Sequence, residues 1–529
     1  MKSFLLSIIL ILAFPVNALA MTCTAGSSSY ATIQSAIDDV ACDEVKVPDG
    51  VYREHLNIAR DVSIVGGSRD TTIIDASGAT GVAVYVSLVA SVSISNLAVT
   101  KGTGGPVASA VESRGNLSLQ NVWVYDNGGS NSAVFSGGSN IQIKGSVIED
   151  NSGTGLHISA GNNHRIQDSD VRRNDSTGIY LKYAGNVSII STRVHLNGMS
   201  GLIASDANGG RSRTILTIND SDISGNDFGG IRIYEGAQAV ISESIVSKNR
   251  AIHPSGDCMH IRGGGITNQG NMVISKSSVI QNDSDVAGGG VYNTGILVIN
   301  DSLVVENRVS SLSSCEVLGG GGIYNGEDYS GVGSLIILRS GVNKNQSEKH
   351  GGGIYSAENQ MLKLINTTIS SNVAEKKGGG IYFTKGGSLM HVSIFDNKAK
   401  AGGGLYPKRD NVTQQWPGIS FKNTAIAKNS PVDCRGKGLV SNGHNLDGDG
   451  SCNLDVLNND IPSTDPRVTP LQSDGYHVPL KCNSKLVDRA DVTNIHKDQR
   501  KLLRPVAACV ALEKVPDIGA IEYHPELDN

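Results

Sequence analysis

The stretch KKGGGIYF, Lys376–Phe383, sets three glycines before an isoleucine and a tyrosine. A glycine run of this kind either cradles a phosphate or forms one coil of a repeat. A phosphate loop of the Walker type ends in Gly-Lys-Ser/Thr and opens a helix, and neither feature follows here. The same run, three glycines and then an apolar residue, recurs at Gly263–Ile266, Gly288–Val291, Gly320–Ile323, Gly351–Ile354 and Gly402–Leu405. Self-similarity at a period of about 20–50 residues is the mark of a solenoid or array, so the glycines are structural.

A second marker extends the period. An asparagine recurs at Asn127, Asn151, Asn174, Asn197, Asn226, Asn249, Asn282, Asn307, Asn345, Asn372, Asn397 and Asn429. The minimum interval is roughly 23 residues, with longer intervals where loops are inserted. A short alternating, β-branched stretch precedes each asparagine, as in LVINDSLVVEN (Leu297–Asn307) and LKLINTTISSN (Leu362–Asn372). Period two and β-branching indicate strands. The expected fold is all-β, a right-handed parallel β-helix solenoid, with rungs ~4.8 Å apart and a repeat region about 55 Å long. Asparagine tolerates left-handed turn geometry, and stacked amides hydrogen-bond along a ladder. Asn429 stands as the end of that run.

The chain begins MKSFLLSIILILAFPVNALA: a cationic residue, an apolar run and a small-x-small site at Ala18–Ala20. This pattern is a secretory signal. The alternative, a membrane anchor, needs ~20 apolar residues, and Leu5–Phe14 falls short. No other stretch suits a membrane span. A net charge of −5 over 529 residues speaks against a nucleic-acid partner. The 8 cysteines after a signal suggest an oxidising compartment. Eight cysteines allow 105 connectivities; sequence order suggests Cys23–Cys42, Cys258–Cys315, Cys434–Cys452 and Cys482–Cys509. No C-x-x-C spacing indicates a metal or redox site, and no cofactor is expected. The segment DGDGSC, Asp447–Cys452, hints at calcium. The positions an EF-type loop fills with Gly and Glu are Cys452 and Asn458 here, and an Asp/Gly turn tied by Cys452 is the simpler reading.

Several segments resemble known sequences. The unit GGGIYN…N is similar to the repeats of the polymorphic outer-membrane protein class and of secreted bacterial β-helix proteins. The segment ATIQSAIDDVACDEVKVPDGVYREHLNIARDVSIVGG (Ala31–Gly67) resembles the opening of the pectin-lyase-like superfamily. The resemblance implies that IQSAID is a capping helix and GVYREHLNI the first rung. Near the C-terminus stand GHNLDGDGSC (Gly443–Cys452), DPRVTPL (Asp465–Leu471), KDQRKLLRP (Lys497–Pro505) and DIGAIE (Asp517–Glu522). Together these resemble the choice-of-anchor Q region. The implied organisation is a signal at 1–20, cap and first rungs at 21–110, repeats at 111–430 and the C-terminal region at 431–529. That family carries no settled activity, and implies a secreted or bacterial cell-surface location.

Enzymes of this superfamily resemble one another in motifs that this chain lacks. The one Asp-Asp pair, Asp38-Asp39, lies in the cap, Gly-His occurs only at Gly443-His444, and Arg165 stands alone. Two carboxylates facing one cleft, as glycoside hydrolysis needs, are not evident. The residue after the last glycine of each run points inward, from Leu156 to Leu405. The next residue then points outward. That column reads His157, Tyr180, Ile203, Arg232, Thr267, Tyr292, Tyr324, Tyr355, Tyr382 and Tyr406, with Lys182 and Tyr234 two residues on. A tyrosine stripe either shields the rung hydrogen bonds or offers a track to sugar rings. His157, Lys182 and Arg232 are either solvated charges or partners for a uronate or sulfate. The expected function is non-catalytic, adhesin-like binding of a polysaccharide or cell-surface glycan. The alternatives are a lyase or hydrolase on acidic polysaccharide using the His157–Arg232 region, and a structural spacer.

Overall fold

The computed structural model describes residues 21–138, 140–206, 213–252, 262–311, 315–326, 333–357, 361–409, 414–472, 482–506 and 514–525. The expected signal at 1–20, and Cys258 and Cys509, lie outside the described residues. The chain winds into an all-β, right-handed parallel solenoid of about 16 turns. Rungs pair from Thr22 to Asp447, across the boundaries expected at 110 and 430.

Each turn presents three faces. The first carries five-residue strands such as Ile296–Asn300, and the second three-residue strands such as Leu303–Val305. The third carries the strands that follow the glycines, such as Ile323–Asn325, and has 14 members. A short fourth ladder of 5 strands, from Arg250–Ala251 to Val373–Ala374, follows the asparagines in the middle rungs. Pairing is parallel and in register, so like residues stack on like. Leu156, Ile179, Leu202, Ile231, Ile266, Val291, Ile323, Ile354, Ile381 and Leu405 are each 0% exposed and line one side of a single core. Burying each such side chain contributes about 1.5–3 kcal/mol.

Helix Ile33–Asp38 closes the N-terminal end, with Ile33, Ala36 and Ile37 buried against the first rungs. The Thr32 side chain caps it, and both Glu54 carboxylate oxygens accept amides from its first turn. Disulfide Cys23–Cys42 ties this end, and Cys434–Cys452 ties the other. Cys315 and Cys482 are also disulfide-bonded.

The twelve asparagines form one buried ladder. Each amide nitrogen donates to the side-chain oxygen of the next, at 2.9–3.0 Å from Asn127 through Asn429. Each backbone N–H donates to that same oxygen, as Asn307 does to Asn345 at 2.9 Å. Two expectations are corrected here. The left-handed residue is the one before each asparagine, such as Glu306 (φ 57°) and Lys344 (φ 56°), and not the asparagine. The asparagine side chain holds the turn so that its neighbour can take that conformation. Asn429 does not end the run either, because its amide nitrogen and its N–H both donate to Asp433 at 2.9 Å.

The glycines answer to sterics. Gly378 has φ +65°, and a Cβ on Gly380 would lie 2.7 Å from the carbonyl oxygen of Gly404 on the next rung. Beyond Cys482 the chain folds back over the late rungs. Gln499 bridges Ser340 and Thr368, Arg504 reaches Asn366, and the amide of Ala520 donates to Ser393.

Candidate functional site

The outward column exists as one register line on the third face. Phe135, His157, Tyr180, Ile203, Arg232, Thr267 and Tyr292 pair in succession. Tyr324, Tyr355, Tyr382 and Tyr406 continue it. The line is not one open surface. Ile203, Arg232 and Thr267 divide it into two aromatic groups.

In the first group His157 lies 5.1 Å from the Phe135 ring and 4.8 Å from that of Tyr180. Burial, then the nearby Lys182, lowers the His157 pKa to about 4, which keeps its imidazole neutral. Its Nε2 is buried without a hydrogen-bond partner among the described residues. The Tyr180 hydroxyl meets Ser205 at 3.3 Å, and Lys182 sits 5.8 Å from the Tyr183 ring. Tyr234 is exposed. Arg232 departs from the expected solvent-facing cation. It is buried, and its Nε donates to the Phe228 carbonyl at 3.1 Å. Tyr180 and Ile203 stand between His157 and Arg232 on the register line.

The second group differs from expectation in the same way at three positions. Tyr292, Tyr324 and Tyr382 are buried. Val286, Ala287, Cys315 and Leu318 pack over the first two, and the rings stack on one another at 4.8–5.6 Å. Their faces are turned to their neighbours on adjacent rungs.

Beyond Leu318 the cover ends, and a cleft of about 430 Å³ opens. Half-buried Tyr355 and Tyr406, with the edge of Tyr382, form its aromatic floor, and Trp416 forms a wall. His350 stacks on Tyr382 at 4.5 Å and 8°. Lys349, Lys377, Lys408 and Arg409 line the rim, with Lys377 Nζ 4.9 Å from the Tyr406 ring. Among the described residues Glu316 is the carboxylate paired there, 2.5 Å from Lys349. Burial, then the surrounding lysines, lowers the His350 pKa to about 4. Its Nδ1 is buried without a partner among the described residues. Flat rings, mobile cations and one neutral imidazole suit a hydroxyl-bearing, ring-shaped ligand. The sequence reading found the tyrosines. It missed His350, the lysines and Trp416, although a histidine or lysine, His350 or Lys377, stands directly before two of the glycine runs.

A second polar cluster was missed entirely. On the second face Asp170 accepts from His195 Nε2 at 2.9 Å, Arg193 at 2.6 Å and Arg172 at 3.0 Å. Glu149 accepts from Arg172, Arg173 and the Trp123 indole. Burial pushes Asp170 up, but these partners outweigh it and hold its carboxyl below the ordinary range. A cleft of about 540 Å³ adjoins it, crossed by Arg69 from an earlier loop. Glu149, Asp170, Arg172, Arg193 and His195 stand two or four positions before Asn151, Asn174 or Asn197. Rung-by-rung reading of the second strand would have found them.

For a metal, the described residues gather Asp433, Asp447 and Asp449, with carboxylate oxygens within 4.8 Å of one another. Those oxygens already accept from Asn429, Asp433, Asp449, Ser451 and Cys452 amides. They serve as the closure of the asparagine ladder.

Residues 110–264 match the family described as "Right handed beta helix region". The fold of this chain is a right-handed parallel β-helix. Residues 366–384 match the Chlamydia polymorphic membrane protein repeat. No curated protein matches the chain. Among solved structures it is similar to the mannuronan C-5 epimerase AlgE6 A-module of Azotobacter vinelandii. That match has 13% identity and a TM-score of 0.41, over 77% of this chain and 94% of the other. A GH87 alpha-1,3-glucanase catalytic domain matches at 13% identity and TM-score 0.37, over 79% and 69%. Pectate lyase Pel9A matches at 13% identity and TM-score 0.33, over 91% and 88%. These likenesses are of fold, and no residue role comes over with them.

Proposed function

We propose that this β-helix protein acts outside the cell, released or at the surface, as a non-catalytic glycan-binding protein. The glycan sits in the cleft between Leu318 and Trp416. The observation that carries this reading is the cleft itself, where the tyrosine column emerges from its cover beside Trp416 and a rim of cations. Stacking a ring on an exposed aromatic is worth ~1–3 kcal/mol, by analogy with single-strand nucleic-acid binders. Tyr406 and Trp416 offer two such surfaces to one glycan. The test is a glycan array probed with the wild-type protein and with a Tyr406→Ala, Trp416→Ala double variant. Wild type should retain a subset of glycans that the folded double variant loses. Equal retention by both would remove the cleft from the account.

One observation favours a second reading, a carbohydrate-active lyase or hydrolase. The Asp170–His195 pair and its arginines adjoin their own cleft on the second face. Product release from acidic polysaccharides, abolished by His195→Gln, would support it in place of simple binding.

A further inference from the structure

We infer that the cleft at Tyr355–Trp416 selects glycans that carry negative charge, through ester sulfate or carboxylate groups. This rests on the glycan-binding reading above. The chain as a whole carries −5, yet the rim of this cleft is cationic. Lys377, Lys408 and Arg409 line it together with Lys349, and the acid paired there, Glu316, engages Lys349 alone among them. The basic character also runs along the solenoid axis. His350, Lys377 and Ala401 pair on three successive rungs. The residues just before them, Lys349, Lys376 and Lys400, therefore stand in one line, a cation every ~4.8 Å.

The aromatic floor and the cations divide the work. A sugar packed against Tyr406 lies beside Lys377, whose ammonium is 4.9 Å from the centre of that ring. An anionic substituent on the stacked sugar would meet this ammonium at close range. Charge-assisted hydrogen bonds of that kind are roughly twice as strong as neutral ones. His350 contributes differently. Kept neutral by burial and by the lysines, and stacked on Tyr382, it adds an uncharged ring to the floor. A neutral polymer would find the floor and the imidazole but leave the cations unused. Lysine ammonium groups are rotatable point donors and do not impose the planar fork of arginine. Both sulfate and carboxylate are within their chemistry.

The test measures affinities of the full chain for dextran sulfate, polygalacturonate and unmodified dextran by calorimetry at low and high salt. At least one charged polymer should bind about tenfold or more tighter than dextran at low salt, because charged hydrogen bonds are stronger than neutral ones. High salt should remove most of that advantage. The Lys377→Gln, Lys408→Gln double variant should lose it at constant fold, and Lys349→Gln should lose part. A Lys144→Gln, Lys363→Gln variant on the first face should keep it. Preference for dextran sulfate alone assigns ester sulfate, and preference for polygalacturonate alone assigns carboxylate. Equal binding of dextran and both charged polymers would overturn the charge inference and leave the glycan reading standing. No binding of either charged polymer would overturn it. So would single-stranded DNA binding as tightly as the polymers with the same loss in the double variant.

Discussion

Asn372 shows how one residue type holds this fold. Its amide nitrogen donates to Asn397 at 2.9 Å and to the Val342 carbonyl at 2.8 Å. Its oxygen accepts the backbone and side-chain amides of Asn345. Asn372→Leu leaves buried partners unsatisfied at ~1–3 kcal/mol each, so a loss of about 3 kcal/mol is expected. Asn429→Leu should cost as much, because Asp433 continues the ladder beyond it. Thermal midpoints compare the two. A clearly milder Asn429 variant would show that Asp433 is not the next member. The asparagine period was legible from the sequence, because spacing alone reveals it. The left-handed residue before each asparagine was not, since Leu196, Glu306 and Lys344 share no side-chain chemistry. A serine or threonine ladder, Ser146, Ser169, Thr192, Ser221 and onward, also went unread. Its members stand at a constant offset before the asparagines, so the signal was present. The histidines give a pH prediction. The folded pKa values of His157 and His350 fall to about 4 from the ordinary 6.5. Their contribution is present above the unfolded value and lost as pH falls from about 6.5 toward 4. Melting curves across that window should show the decline, and His157→Phe should reduce it. An unchanged slope in that variant would contradict a neutral His157.

Among the elements, the strand after the glycines carries most of the interest. Its inward and outward residues were legible from period two, from Leu156 to Leu405. What covers the outward side was not, because the cover comes from the loops between rungs, which do not repeat. Tyr324 and Tyr406 occupy the same register position, and one is buried while the other borders a cleft. Their variants should therefore separate. Tyr324→Thr removes a buried ring stacked on both sides and should cost about 2–4 kcal/mol, with glycan retention unchanged in the folded fraction. Tyr406→Thr should cost less stability and lose retention. Parallel melting and glycan-retention assays decide this. Matching losses at both sites would mean that the column is a single functional surface.

Across the whole molecule, the segment from Cys482 returns over the late rungs and seals them with buried polar groups. Arg504 is 0% exposed in its side chain and pairs with Glu522 at 2.9 Å. Asp517 is buried beside it, with its carboxyl pushed well up by burial and by the Glu522 charge. The sequence showed DIGAIE and KLLRP as motifs, but long-range docking leaves no periodic trace. Arg504→Ala strands buried acids, and breaking a buried pair costs about 3–5 kcal/mol. Limited proteolysis should then cut within residues 482–525 while the rungs stay intact. Resistance equal to wild type would show that the strap does not depend on this pair.

The central claim is that a glycan occupies the cleft beside Trp416. The chain has 2 tryptophans, Trp123 and Trp416. In a Trp123→Phe background, the fluorescence of Trp416 reports on that cleft alone. Titration with dextran sulfate or polygalacturonate should give a saturable change in its intensity, abolished by Tyr406→Ala. Binding detected by calorimetry with no change at Trp416 would place the glycan elsewhere and contradict the account.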